Sequence, residues 1–291
     1  MRVGLILPLG DEPGPGVPAS YPEVAAMARD AEAAGLDSVW VYDHLLSVEG
    51  DRPPEGTWEA WTLLAALAAA TSTVTLGTLV SCTGFRHPGL LAKMAHTVAE
   101  ISGDRLILGL GAGWHEPEYR AFGFPFDHRV DRFAESIEIT ATLLAQGRVS
   151  FDGRYYQLRA APLLPVRPGG STRVPILVGS GGGDRMLGLV ARWADAWNTA
   201  WFGQPNDKFR TNRDKLARAV AAAGRDPGAV EVTVGMIIGT GENRVDPTAT
   251  AVAEALAAWR DEGVGHVIGY PDPTDRAAVS LLAEGVRRFR G

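Results

Sequence analysis

Residues 106–124 read LILGLGAGWHEPEYRAFGF, an apolar run that passes into Gly109-Leu110-Gly111-Ala112-Gly113-Trp114. Glycines behind an apolar run suggest a dinucleotide fingerprint. That fingerprint needs glycine at its first, third and sixth places, so that a tight turn, a close pyrophosphate approach and a helix start coincide. The sixth place here is Trp114, and Pro117 disfavours a long helix directly afterwards. The stretch is read as a strand that opens onto a loop, and the pattern on either side of it decides the fold.

Short apolar runs alternate with segments of helical period along the chain, as parallel strands buried on both faces require. Strands are expected at Val3–Leu9, Ser38–Tyr42, Val74–Val80, Arg105–Leu110, Val174–Val178, Asp195–Thr199, Val230–Ile238 and His266–Ile268. The first is followed by a loop rich in Gly and Pro, then by a helix opened by the capping-box spacing of Ser20-Tyr21-Pro22-Glu23 and ending near Gly35. Further helices are expected at Trp58–Ala70, from Pro88, at Met186–Trp193, Asp207–Ala223, Ala249–Glu262 and from Asp275. Asp127 is expected to cap another, on which Val130, Phe133, Ile137, Thr140 and Leu144 make one buried face.

Eight such units without a break in composition predict an α/β fold, a (β/α)8 TIM barrel formed as one domain over residues 1–291. A doubly wound sheet is the competing arrangement. The segment VSFDGRYYQL, with Asp152-Gly153 between aromatic and β-branched residues, predicts a small β-hairpin insertion after the fourth βα unit.

With 46% hydrophobic and 21% charged residues the chain can build a sizeable core. A formal charge of -6 and the absence of a long basic run argue against a nucleic-acid surface and against anionic membrane. One cysteine permits neither an intramolecular disulfide nor a cysteine-based zinc cluster, and it fits a reducing cytoplasm. The start, MRVGLILPLGDEPG, has an apolar run too short for a signal peptide or a membrane span.

In a barrel of this kind active groups sit after the strands, at their C-terminal ends. After the second strand come Asp43 and His44; a histidine there can serve as general acid or base over the barrel mouth, or simply be a hydrogen-bonded surface histidine. His87, His96, His115, His128 and His266 are read as structural, and no metal site is expected. After the third strand, Cys82 is read as a buried, inert thiol that can still line a site. After the fifth, Gly179-Ser180-Gly181-Gly182-Gly183-Asp184-Arg185 leads into a helix and is read as an anion cradle in preference to a flexible loop. Trp114, Trp197 and Trp201 lie at strand ends and Trp58 and Trp61 open a helix; each alone suits a core, but several at one mouth make an aromatic pocket.

Taken in order, Val39-Trp40-Val41-Tyr42-Asp43-His44, Leu76-Gly77-Thr78 with Phe85-Arg86-His87-Pro88, Arg105 to Trp114, Phe151 to Tyr156 and Gly179-Ser180-Gly181-Gly182 resemble the luciferase-like monooxygenase superfamily. The branch that uses the deazaflavin coenzyme F420 is most similar. The resemblance covers nearly the whole chain. It implies a TIM barrel that binds a deazaflavin, or alternatively FMN, at its C-terminal face, with hydride transfer to or from a small-molecule substrate and a homodimer as the default assembly. It further implies that Asp43 and His44 lie beside the ring, with His44 as catalytic acid or base, and that Leu79-Val80 forms a non-prolyl cis peptide behind it. Cys82, Ala112 and Gly113 would contact the cofactor, and Gly179, Ser180, Gly181 and Gly182 would hold its phosphate. The glycines of the opening stretch are thereby expected to admit a flat ring.

Two alternatives accompany this reading: an FMN-dependent monooxygenase using reduced flavin and oxygen, and a cofactor-binding barrel without turnover. The sequence also departs from the sugar-phosphate dehydrogenases of the branch. Trp114 stands where they carry a catalytic glutamate, and NTAWFGQ at Asn198 to Gln204 lacks their phosphate-binding lysine. A substrate pocket of Trp58, Trp114, Glu116 and Trp201, suited to a less charged molecule, is the expectation, with Glu116 or Glu118 able to contribute an acid.

Overall fold

The computed structural model describes residues 1–10, 18–48, 54–166 and 173–291; the Gly- and Pro-rich loop expected after the first strand falls at 11–17, outside them. In chain order the elements are β1 (Arg2–Ile6), α1 (Tyr21–Ala33), β2 (Ser38–Val41), β3 (Leu46–Ser47), β4 (Glu55–Gly56), α2 (Ala60–Ala70), β5 (Thr75–Thr78) and β6 (Ser81–Cys82). A 3-10 turn at Thr83–Phe85 precedes α3 (Pro88–Ser102), β7 (Leu106–Gly111), α4 (Glu116–Phe122), α5 (Arg129–Gln146), β8 (Arg148–Asp152) and β9 (Gln157–Pro162). There follow β10 (Ile176–Gly179), α6 (Asp184–Trp193), β11 (Ala196–Phe202), α7 (Asp207–Ala222), β12 (Glu231–Ile238), α8 (Ala249–Asp261), β13 (His266–Pro271) and α9 (Arg276–Arg290).

Strands β1, β2, β5, β7, β10, β11, β12 and β13 pair in that order, all parallel, and β13 returns to β1. The sheet is closed, so the fold is a (β/α)8 barrel and not a doubly wound sheet. The antiparallel pair β8–β9 is the hairpin expected after the fourth unit. One local expectation changes. His128, in the left-handed region at φ 51, stands at the start of α5, while the Asp127 carboxylate accepts from Arg132 instead of capping the helix. No long helix follows Pro117, as expected: a proline in the first turn loses no helical hydrogen bond, and α4 forms for only seven residues before Gly123 ends it at φ 74.

Alternation along the strands divides the core in two. Leu5, Val39, Val41, Leu106, Leu108, Ile176, Val178 and Val267 pack outward under the helices, whereas Ile6, Trp40, Leu177, Ala196 and Ile268 form a separate cluster inside the barrel. Trp40 dominates that interior. A Cβ on Gly77 of neighbouring β5 would stand 2.2 Å from its ring, and one on Gly4 of β1 would stand 2.8 Å from its indole nitrogen. Trp40 is fully buried, and its Nε1 donates to Ser38 Oγ, which in turn pairs with His266 Nε2 at 2.8 Å. An aromatic side chain of this kind buries about 150–250 Å², a gross stabilisation of about 4–6 kcal/mol at about 25 cal/mol/Å². Two glycines are thus what lets one large ring fill the barrel axis.

Candidate active site

Asp43, directly after β2, is buried and has both oxygens occupied. Arg86 grips it with a two-pronged contact, one prong at 3.0 Å, and the Cys82 amide donates to Oδ2 at 2.9 Å. Arg86 also donates to Glu59, whose carboxylate caps α2 through the Thr62 amide. Burial raises the Asp43 pKa, against the pull of the Arg86 fork. Burial works against the Arg86 charge too, but hydrogen bonds and attraction from Asp43 and Glu59 leave its pKa above the ordinary value. Asp43 is therefore a pin that fixes the ends of β2 and β6 and the start of α2.

The next residue faces the other way. His44 Nδ1 lies 3.0 Å from Glu118 Oε1, and the second oxygen of Glu118 accepts from the Leu45 amide at 2.8 Å. Glu118 is 1% exposed. His115, at the start of α4, accepts from the Val48 amide through Nε2 at 3.1 Å, so residues 44–48 are strapped to the α4 segment at two points. The Trp114 and Tyr42 rings lie 5.7 and 6.2 Å from the His44 ring. Among the described residues, His44 Nε2 has no hydrogen-bond partner, and the side chain remains 29% exposed.

Cys82 is buried against Tyr119, with Sγ and Oη 2.8 Å apart, and Tyr119 Oη donates to the Ala112 carbonyl at 3.1 Å. Burial pushes the Cys82 thiol up to about 12. It is protonated near neutrality, which matches its reading as an inert thiol.

The glycines of the opening stretch make room for the protein itself. A Cβ on Gly109 would meet the Thr78 carbonyl at 1.8 Å, one on Gly111 would meet Val80 Cγ2 at 2.5 Å, and one on Gly113, at φ 75, would meet Tyr119 Oη at 1.9 Å. Gly179 on β10 likewise yields to Val80, at 2.9 Å. The Val80 side chain thus sits between two strands as a floor beneath the mouth, and the Leu79–Val80 peptide bond preceding it is cis.

After β10, Gly183 begins α6 and no side chain caps that helix. Ser180 Oγ accepts from the Trp197 indole at 3.2 Å and from the Gly182 amide at 3.3 Å, and Asn212 of α7 donates to the Gly181 carbonyl at 3.1 Å. No atom stands where a Cβ on Gly181 or Gly183 would reach. Uncapped amides, open approach and a helix start of this kind fit a phosphate group. Arg185 is drawn aside into an ion pair with Asp131.

Among the aromatic residues Trp114 is 69% exposed, and Trp201 projects from an irregularity in β11 over Gly235 and against Tyr270. Trp58 is exposed and its indole donates to the Ala19 carbonyl. Glu116 is not brought to this group: its carboxylate pairs with Arg120 one turn further along α4, on the solvent side. A depression of about 270 Å³ lies at the opposite end of the barrel, lined by Arg2, Arg105, Glu231 and His266. Its charges answer one another: Arg2 pairs with Glu231, Arg105 is spent on carbonyls, and burial brings His266 down to about 3, leaving it neutral.

A family model described as luciferase-like monooxygenase matches residues 1–283. The chain belongs to that family. It is an enzyme of the luciferase-like type, and a phthiodiolone/phenolphthiodiolone dimycocerosates ketoreductase of Mycobacterium tuberculosis (strain CDC 1551 / Oshkosh) is 31% identical to it over 281 residues, covering 87% of this chain and 72% of the relative. Among solved structures, an F420-dependent secondary alcohol dehydrogenase in complex with an F420-acetone adduct superposes with TM-score 0.80 at 19% identity, covering 100% of this chain and 99% of that one. A riboflavin lyase with modified FMN and riboflavin gives TM-score 0.80 at 15% identity, covering 99% of this chain and 91% of that one.

Within this family member the residues that sequence reasoning did not single out are Arg86 and Tyr119, and Glu118 was placed no higher than Glu116. A signal existed for Glu118. It precedes Tyr119, an aromatic residue in an otherwise polar segment, and a short helix opened by Pro117 buries that side.

Proposed function

We propose that this protein is an F420-dependent oxidoreductase that exchanges a hydride with the carbinol or carbonyl carbon of a small, weakly polar organic molecule. The observation that carries this reading is His44, which stands at the end of β2 with Nδ1 anchored on buried Glu118 and, among the described residues, Nε2 unengaged beside the Trp114 ring. The ketoreductase name of a relative and the secondary alcohol dehydrogenase title of a structural neighbour support the same chemistry.

The chemistry the deazaflavin supplies when bound is two-electron hydride exchange at its central ring. The amides that open α6 would hold its phosphate, and the floor formed by Val80 would back its ring. As the C–H bond of a bound alcohol breaks and its hydride leaves, Nε2 of His44 takes the hydroxyl proton and a carbonyl forms. In the reverse direction the same nitrogen returns that proton to the carbonyl oxygen. Trp114 and Trp201 supply apolar surface, and the segment Asn198 to Gln204 carries no lysine to meet a sugar phosphate, so a ketone or secondary alcohol is the favoured substrate class. A homodimer is proposed as its assembly.

Titration of the purified protein with F420 and with FMN, each oxidised and reduced, tests the reading. Saturable binding of F420 is expected; binding of FMN alone would replace the proposal with a flavin-dependent monooxygenase.

A further inference from the structure

We propose that Glu118 is a positioning residue that sets the tautomer of His44, an inference that rests on the reading of His44 as the proton carrier. The Leu45 amide can only donate, so Glu118 Oε2 must accept. A carboxylate that accepts at both oxygens presents His44 Nδ1 with an acceptor, and the ring then carries its proton at Nδ1. Nε2 is left as a lone pair at the mouth, the form that can take a proton from an alcohol. Once Nε2 is protonated, Nδ1–H stays on the same carboxylate and the imidazolium can release the Nε2 proton to a carbonyl oxygen.

The seat of Glu118 is fixed from several sides. Tyr119 beside it is fully buried and tied to Ala112, and His115 holds Val48, so neither partner of the His44–Glu118 pair can drift alone. Among the described residues Glu118 bonds His44 and Leu45, and it acts through the histidine.

Glu118→Gln keeps the shape and inverts the pattern. The Leu45 amide claims the carboxamide oxygen, the carboxamide N–H faces Nδ1, and the neutral ring must move its proton to Nε2. Loss of the orienting carboxylate in a Ser-His-Asp triad costs about 10⁴ in kcat through the same tautomer exchange. Here a fall of at least about 100-fold in kcat is expected, with KM and the F420 dissociation constant within about twofold of the parent. Glu118→Asp, which keeps the charge, should recover part of it.

The decisive readout needs neither cofactor nor substrate. In protein labelled with ¹⁵N-histidine, two-bond ¹H–¹⁵N correlation above the histidine titration should show His44 Nδ1 pyrrole-like and Nε2 pyridine-like in the parent, and the opposite in Glu118→Gln. An Nε2–H tautomer in the parent overturns the proposal, as does the same tautomer in both proteins. The parent spectrum alone decides if Glu118→Gln does not fold. If the tautomers behave as stated while F420 fails to bind, the cofactor reading falls and the role of Glu118 stands.

Discussion

Val80 and Gly111 exclude any side chain at position 111: the Cβ that alanine would add lies 2.5 Å from Val80 Cγ2. Gly111→Ala should therefore destabilise the barrel by about 1–3 kcal/mol through overpacking. Adding Val80→Ala should restore part of the loss, because the two sites share one space. A double-mutant cycle by denaturant unfolding measures the coupling; additive losses would show that the floor is built otherwise.

Gly113 and Gly103 separate backbone strain from crowding. Both are left-handed, at φ 75 and φ 65, but only at Gly113 would a Cβ strike Tyr119; at Gly103 the space is open. Gly103→Ala should cost about 1–2 kcal/mol from the left-handed backbone alone, and Gly113→Ala about 1–3 kcal/mol more. Equal losses in thermal unfolding would mean that Tyr119 yields freely.

Asp43→Asn leaves the buried Arg86 guanidinium with Glu59 as its one ionic partner among the described residues. The expected loss is about 3–5 kcal/mol, the range for breaking a buried pair on one side. Denaturant midpoints compared at constant m-value check it, with Glu59→Gln expected to cost less because Glu59 is the more exposed partner.

Glu32 joins α1 to the turn before β5 by accepting from the amides of Ser72, Thr73 and Val74. Burial alone would raise its pKa, but those amides outweigh it and bring it to about 2. A carboxylate depressed on folding stabilises the fold above its unfolded pKa, about 4.3, and loses that contribution as pH falls through the folded value. The Tm deficit of Glu32→Gln should thus be largest near neutrality and shrink toward pH 2.

Cys82 should react slowly. With its pKa at about 12 and 5% exposure, the thiolate at pH 8 is about one part in 10⁴. A disulfide reagent should label it orders of magnitude more slowly than free cysteine until denaturant exposes it. Rapid labelling of the folded protein would refute the burial of this thiol.

The barrel could be read from the sequence because strands covered on both faces are continuous apolar runs, and each helix carried its own period or cap. The strand-end position of His44 followed from that alone. What the sequence concealed depends on closure. Only when β7 lies between β5 and β10 does Val80 meet both Gly111 and Gly179, so the seat those glycines make for a valine could not be read from the chain. Choosing between Glu116 and Glu118 required the register of a seven-residue helix, which proline at its start obscured. Arg86 was legible as a charge but not as the clasp of Asp43, since 43 residues separate them in the chain.

Trp40 closes the barrel axis, so nothing passes along it from one mouth to the other. With cofactor and substrate meeting above Val80, as proposed, they would form a queue: the one that lies deeper enters first and departs last. Rate laws would record this as a compulsory sequence, and product-inhibition patterns would report depth in the barrel as well as affinity.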